Sequence, residues 1–140
     1  MLLRMELSLP REARFVAILR NVTQCVLVDL GVPQTDSDDI QLALTEACAN
    51  AVRHAVGSGE YSVMLRLGEE SCEVEISDLG PGFAAPDVAA PVTDAQTDAE
   101  SGRGLQLIRA LVDDLQFIRE DDATRVRLTK RFNGLGLVSV

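Results

Sequence analysis

Hydrophobic and polar positions change period several times along the chain, and each change marks an element. Leu3, Met5, Leu7 and Leu9 alternate with Arg4, Glu6 and Ser8, which predicts a half-buried strand. Pro10 suits the first turn of a following helix. Phe15, Ile18, Leu19, Val22, Cys25, Val26 and Leu30 recur at three-to-four spacing, as in an amphipathic helix, and Gly31 and Pro33 end it. Thr35, Asp36 and Ser37 offer N-caps to a second helix. Its apolar stripe runs Ile40, Leu44, Ala47, Cys48, Ala51, Ala55, and it ends near Gly57 to Gly59.

Period two then returns. Tyr61, Val63, Leu65 and Leu67 alternate with Ser62, Met64 and Arg66; after a turn at Gly68 to Ser71, Cys72, Val74 and Ile76 alternate with Glu73, Glu75 and Ser77. This is a hairpin with one wet face. Parity leaves Asp78 two readings. If the strand continues, Asp78 joins the covered face and needs a hydrogen-bond donor, because burying a carboxylate unpaired costs several kcal/mol. If the strand stops at Ser77, Asp78 merely opens a turn.

Asp78-Leu79-Gly80-Pro81-Gly82-Phe83 leaves the strand, its glycines allowing close backbone approach by a ligand. Ala84 to Ser101, 18 residues without periodicity, reads as a lid or a disordered loop. Ser101-Gly102-Arg103-Gly104 starts a helix with Leu105, Ile108, Leu111, Val112 and Leu115 on one face. Glycines at a helix N-terminus either make a plain turn or present free N–H groups to an anion. Leu115, Phe117 and Arg119 read as a short strand, and Val126 and Leu128 as a last one. The expectation is one domain over residues 1–133, with a lid at 84–101 and an apolar tail at 134–140.

Composition narrows the function. The 140 residues suffice for one core, and a formal net charge of −9 speaks against nucleic acid. An anionic ligand would need a cation or a helix end beside it. Three cysteines without a CxxC pair suggest buried thiols in a reducing cytosol. The charged N-terminus is no signal peptide, and no apolar run reaches membrane-spanning length. A soluble cytoplasmic protein is expected.

The chemistry concentrates in Thr45-Glu-Ala-Cys-Ala-Asn-Ala-Val-Arg-His54. Glu46, Asn50 and either Arg53 or His54 share one helix face. Such a carboxylate and carboxamide can hold a metal, or divide metal binding and proton transfer; the alternative is a solvated polar face. A P-loop, a dinucleotide fingerprint, the protein-kinase motifs and GxSxG are all missing, and His54 is the single histidine.

Four pieces nevertheless come in a telling order: the Glu46–Asn50 helix, Asp78-x-Gly80-x-Gly82-Phe83, a long loop, and Gly102-x-Gly104-Leu105 at a helix start. This order resembles the GHKL ATPase superfamily, with its N box and two glycine boxes. Size and element order are similar to the bacterial anti-sigma-factor serine kinases of sporulation and general stress. The resemblance implies an α+β two-layer sandwich, the Bergerat ATP-binding fold, with a mixed, mostly antiparallel sheet and helices on one face. It implies ATP and Mg²⁺ as cofactors, with Asn50 on the metal, Glu46 as general base and Asp78 on the adenine amino group. It further implies that Arg53, His54, Gly80, Gly82, Phe83, Ser101, Gly102, Arg103, Gly104, Leu105 and Thr124 surround the nucleotide. The partners implied are an anti-sigma-factor antagonist, phosphorylated on serine or threonine, and a sigma factor, with a homodimeric kinase. The alternative function is a nucleotide-gated protein-binding module with weak or no kinase activity.

Overall fold

The first alternating run folds as strand β1 (Leu3–Pro10). The structure, a computed structural model, describes residues 2–54, 59–79, 99–120 and 123–132. Helices α1 (Ala13–Asp29) and α2 (Gln34–His54) follow β1, then strands β2 (Glu60–Leu67) and β3 (Ser71–Leu79). Helix α3 (Ala99–Leu111) and strands β4 (Asp114–Glu120) and β5 (Ala123–Arg131) complete the described elements. The sheet order is β1-β2-β3-β5-β4 and every pairing among these strands is antiparallel. The α+β architecture expected from the sequence is therefore present, without a parallel pair among the described strands.

One sheet face carries the core. Tyr61, Val63, Leu65 and Leu67 of β2 are buried, as are Cys72, Val74 and Ile76 of β3 and Val126 and Leu128 of β5. The α2 stripe of Ile40, Ala43, Leu44, Ala47, Cys48 and Ala51 packs on them. Its small residues let the helix lie close over β3 and β5, with α1 and α3 on its flanks. The other face is charged: Arg127 bridges Glu73 at 3.5 Å and Glu75 at 3.8 Å, and Arg66 reaches Glu73 at 3.4 Å.

Four local expectations are corrected. Pro10 ends β1, opposite Glu60, and does not open the helix. β1 is an edge strand, where a missing N–H is tolerated. Helix α1 buries Val16, Leu19, Thr23 and Leu27, while Ile18, Val22 and Cys25 are exposed on its opposite side. Apolar residues occupy most of its circumference, so their spacing could not choose the buried side. Cys25 is therefore not a buried thiol. Helix α2 starts at Gln34, which places Thr35, Asp36 and Ser37 inside its first turn and not at the cap. Finally, Thr124 lies within β5 instead of before it.

The end of α1 shows how local sequence directs the chain into α2. Gly31 has φ 78°, a conformation that suits glycine. The Gly31 N–H donates to the Val28 carbonyl at 3.1 Å and the Val32 N–H to the Leu27 carbonyl at 3.0 Å. This double closure is a Schellman motif, with buried Leu27 and Val32 as its apolar pair.

Candidate functional site

Strand β3 runs to Leu79, so Asp78 lies on the covered face, 0% exposed. Of its two readings, the buried one holds. The donor it requires is Arg11, in the short turn between β1 and α1. Arg11 Nη1 donates to Asp78 Oδ2 at 3.1 Å, and Nη2 donates to Oδ1. The guanidinium is buried too, its side chain 9% exposed. Sheet order explains this meeting of residues 67 positions apart. Leu9 pairs with Tyr61, and Tyr61 with Asp78, so the chain leaving β1 emerges beside the end of β3.

Arg11 was not legible as a site residue. One arginine in a turn carries no motif. The available signal was indirect: a buried Asp78 demands a donor, and the hairpin order restricts where it can come from.

Tyr61 fills the same corner and is also buried. Burial pushes its hydroxyl pKa up, with Cys48 adding to the rise and Arg11 opposing it. No described group meets that hydroxyl with hydrogen-bond geometry, and Arg11 Nε is likewise buried without an acceptor. Burial also pushes the Cys48 thiol up to about 12, against a smaller pull from Tyr61. Cys48 and Tyr61 thus couple the middle of α2 to the row containing Asp78. Glu46 and Asn50 are each two residues from Cys48 on α2.

Glu46 meets the second turn of α3. A Cβ built on Gly104 would stand 3.1 Å from Glu46 Oε2, so the absence of a side chain there makes room for the carboxylate. Asn50 is buried, and its Oδ1 accepts from Arg53 Nη2 at 2.8 Å. Helix α3 begins at Ala99, two residues before the expected start, so Gly104 sits in its second turn and Leu105 is buried behind it. On β5, Thr124 pairs directly with Asp78. The structure thus sets Glu46 against Gly104 across the α2–α3 packing, Asn50 against Arg53 on α2, and Thr124 beside Asp78 on the sheet.

Gly80, Gly82, Phe83, lid residues 84–98 and the tail at 134–140 lie outside the described residues. For His54, Ser101, Gly102, Arg103 and Thr124 the description covers the backbone alone.

Residues 9–130 match the family model described as a histidine kinase-like ATPase domain. The chain belongs to that family. Among curated relatives, a serine-protein kinase RsbW of Bacillus cereus is 33% identical over 138 residues, covering 91% of this chain and 84% of the relative. An RsbW of Bacillus mycoides matches to the same extent. Within the histidine kinase-like ATPases the chain is thus of the serine-protein kinase RsbW type. A crystal structure of the RsbU and RsbW domains of Rv1364c from Mycobacterium tuberculosis superposes with a TM-score of 0.70 at 20% identity. It matches 93% of this chain, which spans 32% of that longer one, and it supports the fold. The Acinetobacter baumannii histidine kinase AdeS superposes at 0.53 and 16% identity, with 91% of this chain and 68% of that one covered.

The donor set of this histidine kinase-like ATPase domain fits a nucleotide and its cation. Among the described residues no three His, Cys, Asp or Glu side chains cluster for a metal. Mg²⁺ needs no such cage, because it takes one or two protein oxygens and completes its shell with phosphates and water. Asn50 Oδ1 is a neutral oxygen suited to that part once Arg53 turns aside. No described helix is long and apolar enough to cross a membrane.

Proposed function

We propose that the protein transfers the γ-phosphoryl group of ATP to a serine or threonine hydroxyl of an anti-sigma-factor antagonist. Phosphorylation of that antagonist then decides whether the kinase holds a sigma factor. The observation that carries this reading is the apposition of Glu46 and Gly104, which sets a half-buried carboxylate against the second turn of α3, one turn in from its N-terminus. A helix N-terminus is where phosphate oxygens are held by N–H groups and the positive dipole end. A carboxylate one turn from those groups supports a reading in which Glu46 takes the proton of the acceptor hydroxyl.

In this reading Asp78 accepts from the adenine amino group, with Thr124 on the adjacent strand. Gly80, Gly82 and Phe83 belong to the nucleotide-binding set, Gly82 letting the backbone pass the base. Ser101, Gly102, Arg103, Gly104 and Leu105 hold the phosphates, and Arg53 and His54 flank them. Asn50 would hold Mg²⁺, which would offset the charge of the phosphates against a protein of net charge −9. The acceptor hydroxyl oxygen bonds to the γ-phosphorus as the β–γ bridging bond breaks. ADP leaves, and the hydroxyl proton passes to Glu46. Residues 84–98, up to the start of α3, close over the nucleotide, and the kinase works as a homodimer in the cytoplasm.

The test is incubation with γ-labelled ATP and candidate antagonists, beginning with proteins encoded beside this one. Label on an antagonist serine or threonine is expected. Mg-ATP binding without transfer to any of them would leave a nucleotide-gated binding module.

A further inference from the structure

Resting on the nucleotide reading above, we infer that Arg11 sets base selectivity by occupying both oxygens of Asp78. A bare carboxylate on a base does not by itself choose adenine. Its two oxygens match the adjacent N1–H and N2–H donors of guanine at least as well, as a two-pronged pair of acceptors. Asp78 is not bare. Arg11 donates to each of its oxygens, and both side chains are buried, at 9% and 0% exposure.

Each oxygen retains a lone pair but no longer points squarely at a base. What remains suits the lone exocyclic amino donor of adenine, whereas guanine would have one of its two adjacent donors, N1–H or N2–H, left without an acceptor. Arg11 also offers a donor that lacks a partner, since its buried Nε has no acceptor among the described groups. The Tyr61 hydroxyl, beside the Cys48 thiol and without hydrogen-bond geometry to any described group, lies in the same corner. Both are polar groups of the kind that a base or a water held beside it would satisfy.

Arg11 stays when nucleotide binds. Withdrawing it would strand a buried carboxylate, which one neutral amino donor compensates poorly. The arginine therefore acts through Asp78 as a positioning residue. It neutralises the carboxylate, restricts it to one further donor, and leaves recognition of the phosphates untouched.

The experiment is isothermal titration of the full chain with Mg-ATP and Mg-GTP, comparing wild type, Arg11→Met and Arg11→Lys. Wild type is expected to prefer ATP. Arg11→Met is expected to lower the ATP:GTP affinity ratio by about tenfold or more, the scale on which one polar contact discriminates between ligands. Arg11→Lys keeps the charge but engages the carboxylate as a point donor, so an intermediate ratio is expected. A purely structural role would weaken both nucleotides alike and leave the ratio unchanged, overturning the proposal. Should Arg11→Met fail to fold, Arg11→Lys decides in the same way, and a wild-type ratio in it overturns the proposal. Failure of wild type to bind ATP would overturn the nucleotide reading and this inference together. ATP binding with an unaltered ratio in the variants would overturn this inference alone.

Discussion

Glu46 and Gly104 meet across the α2–α3 packing, where a methyl group on residue 104 would stand 3.1 Å from Glu46 Oε2. That spacing is tighter than side chains usually tolerate, but the atom facing it ends a movable side chain. Gly104→Ala should therefore fold. Alanine favours a helix over glycine by about 0.5–1 kcal/mol, which offsets the crowding. If Glu46 is the base proposed above, the effect of the substitution should appear in catalysis, because the displaced carboxylate would no longer meet the acceptor. Phosphotransfer is expected to fall about 10–100-fold, the scale of a misplaced catalytic group. Thermal melts run beside a phosphotransfer assay check both halves.

Glu46→Ala separates binding from chemistry. Mg-ATP affinity should stay within a few-fold of wild type, while antagonist phosphorylation falls by about 10²–10⁴, the usual contribution of a general base. Transfer at the full rate would place the base elsewhere.

Asp78→Asn has two separable effects. It leaves the Arg11 guanidinium buried without its counter-charge, so a loss of about 3–5 kcal/mol is expected from urea unfolding. In the proposed nucleotide site it would also weaken the acceptor for adenine. Wild type should melt higher in saturating Mg-ATP, as a ligand that binds only the folded state requires. The variant should show little such rise, even when its lower starting point is taken into account.

The buried thiols predict a decline at alkaline pH. Burial raises Cys48 and Cys72 to about 12 from an ordinary 9.0. Between these values the folded protein holds protons that the unfolded chain has released. The unfolded state binds fewer, so stability falls as pH rises. The contribution of these groups is complete below about pH 9 and lost as pH climbs towards 12. Urea midpoints at pH 8, 9 and 10 should fall progressively, and Cys48→Ala should flatten the slope even if it shifts every midpoint.

The same residues give a simpler chemical readout. Cys25 is exposed whereas Cys48 and Cys72 are buried, and a thiolate is the reactive form. One thiol per chain should react rapidly with a disulfide reagent under native conditions, and three in denaturant. Cys25→Ser should abolish the rapid phase.

The legible parts of the molecule were those with a clean period. Tyr61 to Leu67 and Cys72 to Ile76 alternate strictly, and their inward apolar residues are all buried. The α2 stripe was readable because small and large apolar residues share one side, with Glu46 and Asn50 away from it. Helix α1 was not, because Ile18 and Val22 mimic a core stripe while Thr23 lies buried between Leu19 and Leu27. Polar Thr23 gave no hint of that position. Pro10 misled because proline serves a helix start and a strand end equally well. Glu46, Asn50 and Asp78 could be named from spacing, parity and resemblance together. Arg11 could not, since its role depends on two strand pairings that no window of sequence contains.

The Arg11–Asp78 ion pair also bears on how the sheet assembles. Apolar alternation rejects a misalignment of one residue but is blind to one of two, which returns every valine and leucine to the covered side. A shift of β3 by two residues would carry Asp78 about 7 Å along the sheet. Both charges would then be stranded beneath the helices. The ion pair is a key cut for one alignment of the strands, and it penalises the misassembly that greasy side chains would let pass.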